Sequence, residues 1–141
     1  MNKNNRPLGW TTVEEAQQLV KTGLPVETAD MHYLNYSDNE FNALTFPYVD
    51  TSPSIRTWVI PCWSLGALLE LIPAEITYSD FKPFKLGIFK DDNKDECHYF
   101  IQYYPLYEGG VFCEACGHTL VKASINMILY LLNNKFIKYE Q

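Results

Sequence analysis

Residues 118–137, HTLVKASINMILYLLNNKFI, decide the fold class of this chain. Apolar side chains recur there at helical spacing in two adjacent rows, Val121, Ile125, Ile128 and Leu132 in one and Leu120, Met127 and Leu131 in the other. A helix that is apolar over most of its circumference needs a sheet or other helices around it. The stretch therefore predicts a long C-terminal helix at the centre of an α+β domain.

A β-hairpin is predicted before this helix. Residues 84–90 and 97–104 alternate in polarity, and the acidic run 91–96 separates them as a solvated turn. The apolar residues expected to share one face of the hairpin are Leu86, Ile88, Tyr99, Ile101 and Tyr103. After the turn at Gly109 and Gly110, residues 111–113 are a candidate third strand.

Two shorter helices are predicted nearer the N-terminus. Thr12 and Glu15 have the spacing of a capping box, and Gly23 stands where that helix should end. Ser64 is a favourable N-cap for a helix over 65–72, which Pro73 stops. Pro25 favours a short helical turn that reaches Ala29.

Three further short strands are expected, over 31–36, 46–49 and 56–60, with Pro47 and Pro61 restricting the last two to an edge or a strand end. The expected fold is a small, mostly antiparallel sheet, made of the 84–104 hairpin and short strands. It packs against the C-terminal helix and the two shorter helices. A length of 141 residues favours one domain. We expect a flexible lead-in over 1–10 and a single globular domain over 11–141.

Composition narrows the function. The net charge of −6 and the scattered Lys and Arg residues give no basic stripe, so nucleic acid is not an expected partner. No apolar run is long enough to cross a membrane, and the N-terminus lacks the apolar core of a secretion signal. A cytoplasmic location is therefore expected, with all four cysteines reduced.

The sharpest chemical motif is Cys113-Glu-Ala-Cys116-Gly-His118. Two thiolates and an imidazole at this spacing could bind Zn²⁺, with Cys97, His98 or Cys62 as the fourth ligand. A thioredoxin-like redox pair is a weaker alternative, because a hairpin precedes the motif where a βαβ unit is needed. Buried cysteines acting as small apolar residues are the simplest interpretation. Zinc is accordingly an alternative, and no cofactor is the leading expectation.

The leading functional hypothesis is a non-enzymatic domain that binds a protein partner. Aromatic residues in or beside predicted loops could form its contact patch, namely Trp10, Tyr36, Tyr48, Trp63 and Tyr107. A third hypothesis is an enzyme whose site assembles from distant residues such as Asp30, His32 and His98. No phosphate-binding glycine loop or nucleophile elbow is present.

Three blocks resemble a known family: 23–31 (GLPVETADM), 60–73 (IPCWSLGALLELIP) and 127–137 (MILYLLNNKFI). The chain is similar to small proteins encoded in gut-bacterial genomes, often in phage or other mobile-element regions. The family has no assigned activity, and none of the blocks is a catalytic motif. The resemblance implies a bacterial, phage-related protein, which fits an accessory factor of a mobile element.

Overall fold

The computed structural model describes residues 9–34, 48–49, 59–77, 83–91, 97–105 and 110–139. Its helices are α1 (Val13–Thr22), α2 (Leu65–Leu71) and α3 (Leu120–Asn133), with a 3-10 turn at Val26–Thr28. Its strands are β1 (Met31–Leu34), β2 (Tyr48–Val49), β3 (Val59–Cys62), β4 (Glu75–Ile76), β5 (Phe84–Lys90), β6 (Tyr99–Pro105) and β7 (Cys113–Gly117). The predicted segments 1–8, 37–42 and 92–96 lie outside the described residues.

The strands form two antiparallel sheets, which confirms the predicted α+β class. One sheet has the order β2-β1-β3, and the other has the order β4-β5-β6-β7. The sequence did not predict β4. The third strand of the hairpin sheet was predicted over 111–113, but β7 begins at Cys113 and continues to Gly117. Pro61 lies within β3, where its missing N–H is tolerated because β3 is an edge strand.

The hairpin of β5 and β6 places the predicted apolar residues on one face. Leu86 lies opposite Tyr103, and Ile88 lies opposite Ile101, so these side chains share one face of the sheet. Tyr103 and Ile101 are fully buried on that face, against the core that surrounds α3. The alternation of the strands therefore leaves a second face directed away from α3.

Both shorter helices begin at the predicted caps. The Thr12 N–H donates to Glu15 Oε1 at 2.9 Å, and the Glu15 N–H donates to Thr12 Oγ1 at 3.1 Å. Gly23 ends α1 with a φ of 117°, a left-handed conformation that glycine adopts without steric cost. Ser64 Oγ accepts from the Ala67 N–H at 3.2 Å at the start of α2.

Helix α3 is shorter than the predicted 118–137. Thr119 caps its N-terminus by accepting from the Lys122 N–H at 3.1 Å. At the other end Lys135 takes a φ of 61°, and the Phe136 N–H turns back to donate to the Leu131 carbonyl at 2.9 Å. An apolar residue is favourable at position 136 although the helix has ended, because the Phe136 side chain still packs against the core. Its ring meets the Phe112 ring edge-on, with centroids 5.9 Å apart.

One buried cluster joins α1, α2, β6, β7 and α3. Helix α3 contacts each of the other four elements, so it is the central support that its sequence predicts.

Gly9 and Trp10, which the sequence assigned to a flexible lead-in, are attached to this body. The Leu65 N–H donates to the Gly9 carbonyl at 2.9 Å, and Trp10 forms a β-bridge with Ser64. Within the described ranges, no helix has the length and apolarity needed to cross a bilayer.

Candidate functional site

The face of the four-stranded sheet opposite α3, here called the outer face, gathers aromatic and chemically reactive side chains. Strand alternation places on it Glu75, Lys85, Gly87, Phe89, Phe100, Gln102, Tyr104, Glu114 and Cys116. The register aligns Phe89, Phe100 and Cys116 in one row across three strands. Neighbouring side chains on these strands therefore form one continuous surface.

The centre of the outer face is aromatic. Phe89 and Phe100 are direct cross-strand partners, and Phe89 is 48% exposed. The Phe89 and Tyr104 rings lean over Gly87, where a Cβ would lie only 2.7 Å and 2.8 Å from their ring carbons. Gly87 therefore creates the space that these rings occupy on the sheet, in the manner of aromatic side chains that cover a strand glycine.

Polar pairs surround this aromatic centre. Lys85 and Glu75 form an ion pair across β4 and β5. Gln102 donates its amide to Glu114 Oε1 at 2.5 Å across β6 and β7. Lys85 neutralises Glu75, whereas the exposed Glu114 carboxylate has only a neutral amide partner among these pairs. Apart from the histidines at its end, the outer face thus combines an aromatic centre with a mildly acidic rim.

A cluster of cysteines and histidines closes one end of the outer face. Cys97 and Cys116 are joined by a disulfide, with their Cα atoms 5.7 Å apart. The His98 and His118 rings lie beside it, with centroids 5.5 Å apart and planes inclined at 53°. The expectation that all four cysteines are free is therefore wrong for two of them. Pairing of β6 with β7 brings these cysteines together from 19 residues apart, a contact that spacing alone does not reveal.

The predicted zinc ligands Cys113, Cys116 and His118 are not brought together as a set. Residues three apart in a strand point to opposite faces, so Cys113 lies on the α3 side and Cys116 on the outer face. Cys116 is also bonded to Cys97. His118 lies just beyond the end of β7. The spacing of the motif predicted that one ion could accept both thiolates, but residues 113–117 fold as an extended strand.

The remaining cysteines are protected thiols. Cys62 is fully buried, and burial raises its pKa from 9.0 to about 11. Burial also raises the pKa of Cys113, which packs at the edge of the core. Both groups are therefore protonated at neutral pH, and a protonated thiol is a poor nucleophile and a poor metal ligand.

The residues proposed for a dispersed enzyme site lie in different parts of the fold. Asp30 accepts from the Ser64 N–H at 2.9 Å and from the Ser64 hydroxyl, which ties it to the start of α2. His32 lies in β1 of the three-stranded sheet, whereas His98 precedes β6 of the other sheet. Asp30 and His98 therefore serve separate local clusters.

The predicted contact patch lies only partly within the described residues. Trp63 is fully buried, and its indole N–H donates to Thr28 Oγ1 at 2.9 Å, so its side chain is a core group. Trp10 is half-buried at its bridge to Ser64. Tyr48 belongs to β2, while Tyr36 and Tyr107 lie outside the described residues.

Sequence reasoning missed the aromatic centre of the outer face. The hairpin analysis followed the odd-numbered residues of β6, which form the apolar side, and left Phe100 and Tyr104 unassigned. The signal was present in the other set of residues, because Phe100 and Tyr104 are even-numbered in β6 and share their face with the odd-numbered Phe89 of β5. Comparison of the chain with protein-family models, with curated proteins and with solved structures gives no match.

Proposed function

We propose that this chain is a protein-binding domain whose contact surface is the outer face of its four-stranded sheet. One observation supports this proposal above others: the Phe89 and Tyr104 rings lean over Gly87, and Phe100 lies opposite Phe89, on a face turned away from the helix that supports the sheet. Interfaces commonly combine an aromatic centre with a polar rim, and aromatic anchors supply much of their binding energy.

The chemistry of the outer face favours a basic partner. The chain carries a net charge of −6, and Glu114 is exposed on the rim of the aromatic centre. Arginine and lysine side chains bind over aromatic rings, and an acidic protein steers cationic partners toward itself. The proposed partner therefore presents arginine or lysine beside apolar side chains that cover Phe89 and Phe100.

A defined peptide tests this proposal directly. We expect a labelled peptide of alternating arginine and leucine to bind, and one of arginine and serine to bind at least tenfold more weakly, in fluorescence anisotropy. Phe89→Ser should weaken the first complex at least tenfold, because it removes an exposed aromatic anchor and leaves every charge in place. The binding should also weaken as salt is added.

Val26→Ser provides the matched control. Val26 is 49% exposed, close to the 48% of Phe89, but it lies in the 3-10 turn away from the outer face. This variant should bind like the unaltered chain and melt within about 2 °C of it, since exposed substitutions change the free energy of unfolding by about 0.5 kcal/mol or less. Phe89→Ser should melt somewhat lower but stay folded, because it loses the cross-strand pair with Phe100. Equal losses in both variants, or no loss with Phe89→Ser, would contradict the proposal.

The resemblance to mobile-element proteins extends the proposal to the biological source of the partner. The natural partner would be a basic protein of the bacterial host or of the element, met in the cytoplasm. A protein captured from bacterial lysate supports this extension only when the Phe89→Ser bait loses it and the Val26→Ser bait retains it.

A further inference from the structure

We propose that Cys97, His98, Cys116 and His118 form a redox-gated zinc site, closed as a disulfide when oxidised and open to Zn²⁺ when reduced. This inference is independent of the binding function proposed above. It replaces Cys113 of the sequence motif with two residues that precede β6. The resulting set of two thiolates and two imidazoles is one that structural zinc sites use.

The four side chains converge from two adjacent chain segments. The His98 N–H donates to the Gly117 carbonyl at 3.1 Å, which aligns the start of β6 with the end of β7. Cys116 lies in β7, and His118 follows directly after the last residue of that strand, Gly117. The Asn126 side-chain amide donates to the Cys116 carbonyl at 2.8 Å and fixes this end of β7 to α3.

The spacing of the two imidazoles suits one tetrahedral ion. Two imidazoles bound at Zn–N distances of about 2.0–2.1 Å have ring centres roughly 5 Å apart, and the His98 and His118 centroids are 5.5 Å apart. Two thiolates bound at Zn–S distances of about 2.3 Å lie roughly 3.8 Å from each other. Reduction of the disulfide frees the two sulfurs to move apart to this spacing.

An unpaired nitrogen points to a missing ligand at this position. His98 Nδ1 is buried and has no hydrogen-bond partner in the structure's described residues. A buried polar atom without a partner is costly, and an ion is one of the groups that removes the cost. His118 is exposed, so an ion can reach the cluster from solvent. Within the described ranges, where Cys97 and Cys116 are paired with each other, no group of three or more His, Cys, Asp or Glu is arranged for a metal.

A phosphine can reduce the Cys97–Cys116 disulfide in a step that balances in atoms and electrons. The phosphine gives two electrons to the disulfide and becomes its oxide by taking the oxygen of one water. The two protons of that water are transferred to the sulfurs of Cys97 and Cys116, which become thiols. Binding of Zn²⁺ then forms two Zn–S and two Zn–N bonds and releases the two thiol protons. The two thiolates cancel the charge of the ion, so the loaded site is neutral.

Cobalt titration of the full chain tests the site. We expect no binding before phosphine reduction and one Co²⁺ per chain after it. Binding should appear as visible bands of tetrahedral cobalt and a thiolate-to-cobalt charge-transfer band, and Zn²⁺ should remove both. His118→Asn should weaken the binding of Co²⁺ at least tenfold, because it deletes an exposed ligand without altering the core.

Cys113→Ser separates this ligand set from the sequence motif. If the set is correct, this variant binds Co²⁺ as tightly as the unaltered chain, because Cys113 lies on the opposite face of β7. A loss of binding in Cys113→Ser that matches His118→Asn would assign the ion to the sequence motif and overturn the proposal.

Alkylation provides a measurement that does not depend on any variant. Zn²⁺ should protect Cys97 and Cys116 of the reduced chain from iodoacetamide, as read by peptide mass spectrometry, while the labelling of Cys113 stays unchanged. A reduced chain that takes up no Co²⁺ and shows no such protection, whether folded or not, would also overturn the proposal.

Discussion

At the scale of single residues, Thr11 shows how a buried polar group is kept in this fold. Thr11 is fully buried, and its hydroxyl accepts from the Trp63 N–H at 3.1 Å while donating toward Cys62 Sγ at 3.6 Å. Its carbonyl accepts from the Tyr33 hydroxyl at 2.6 Å and from the Cys62 thiol at 3.4 Å. Every polar atom of the group is partnered, so burial costs little and the N-terminal segment is held to β3.

The Cys62 thiol of this network predicts a loss of stability in alkali. Burial raises its pKa from 9.0 to about 11, so the thiol ionises at lower pH in the unfolded chain than in the folded one. The full contribution of the protonated Cys62 thiol to the free energy of unfolding is present below pH 9.0. As the pH rises from 9.0 to 11, that free energy falls by about 1.4 kcal/mol per pH unit. Urea unfolding at pH 8.0, 9.0, 9.5 and 10.0 measures this slope.

Cys62→Ser is the control for the alkaline slope. A serine hydroxyl can still donate to the Thr11 carbonyl but does not ionise in this range. Cys113 and the buried tyrosines remain in both proteins, so their titration cancels in the comparison. The variant should therefore show a shallower decline between pH 9 and 10 than the unaltered chain. Parallel slopes would mean that Cys62 ionises equally easily in both states.

At the scale of elements, the junction of β7 and α3 depends on a close approach of two backbones. A Cβ at Gly117 would lie 2.7 Å from the Ala123 nitrogen and 3.0 Å from the Lys122 carbonyl carbon. These atoms belong to the first turn of α3, which can move only with the helix. Gly117 therefore sets how closely the central helix approaches the last strand of the sheet.

Gly117→Ala should lower the free energy of unfolding by about 2 kcal/mol, because the added methyl group must displace helix backbone. Gly66→Ala is the matched control within α2, where the nearest atom to an added Cβ is Ser64 Oγ at 3.8 Å. That variant should gain as much as about 1 kcal/mol from the better helix propensity of alanine. Thermal unfolding of both proteins measures the contrast, and a Gly117→Ala protein as stable as the original would show that α3 shifts freely.

At the scale of the whole molecule, α3 unites the two sheets through one core. It contacts β6 and β7 directly, and it contacts α1, which in turn packs against β3 of the other sheet. The buried cluster that contains Ile128 and Leu131 of α3 also contains Trp63, which follows β3. Because the same cluster serves both sheets, the described structure should unfold as one unit.

Ile128→Ala tests this unity. Ile128 is fully buried, and an isoleucine-to-alanine change in a core costs about 2–5 kcal/mol. Tryptophan fluorescence, which includes Trp63 beside β3, and far-ultraviolet circular dichroism should report the same lowered midpoint in urea. Val20→Ala, at a residue that is 38% exposed on α1, should change the free energy of unfolding by about 0.5 kcal/mol or less. Two separate midpoints in Ile128→Ala would show that the sheets unfold independently.

Local sequence determined the features of this fold that depend on neighbouring residues. The caps at Thr12, Ser64 and Gly23, the β5–β6 hairpin and the position of α3 follow from propensity, capping and periodicity. Each arises from interactions over a few residues, so a single sequence records them. The sequence predicted the C-terminal end of α3 too far along the chain. Phe136 continues the apolar pattern of the helix, but it packs against the core after the helix has ended.

Tertiary structure alone decided the features that depend on strand pairing. The register of β6 and β7 brought Cys97 to Cys116 and His98 to His118, and it separated Cys113 from the proposed metal ligands. Burial moved Trp63 into the core, and cross-strand alignment placed Phe89 beside Phe100. These contacts join residues of different strands and loops, and the spacing of residues along one stretch of the chain does not record them.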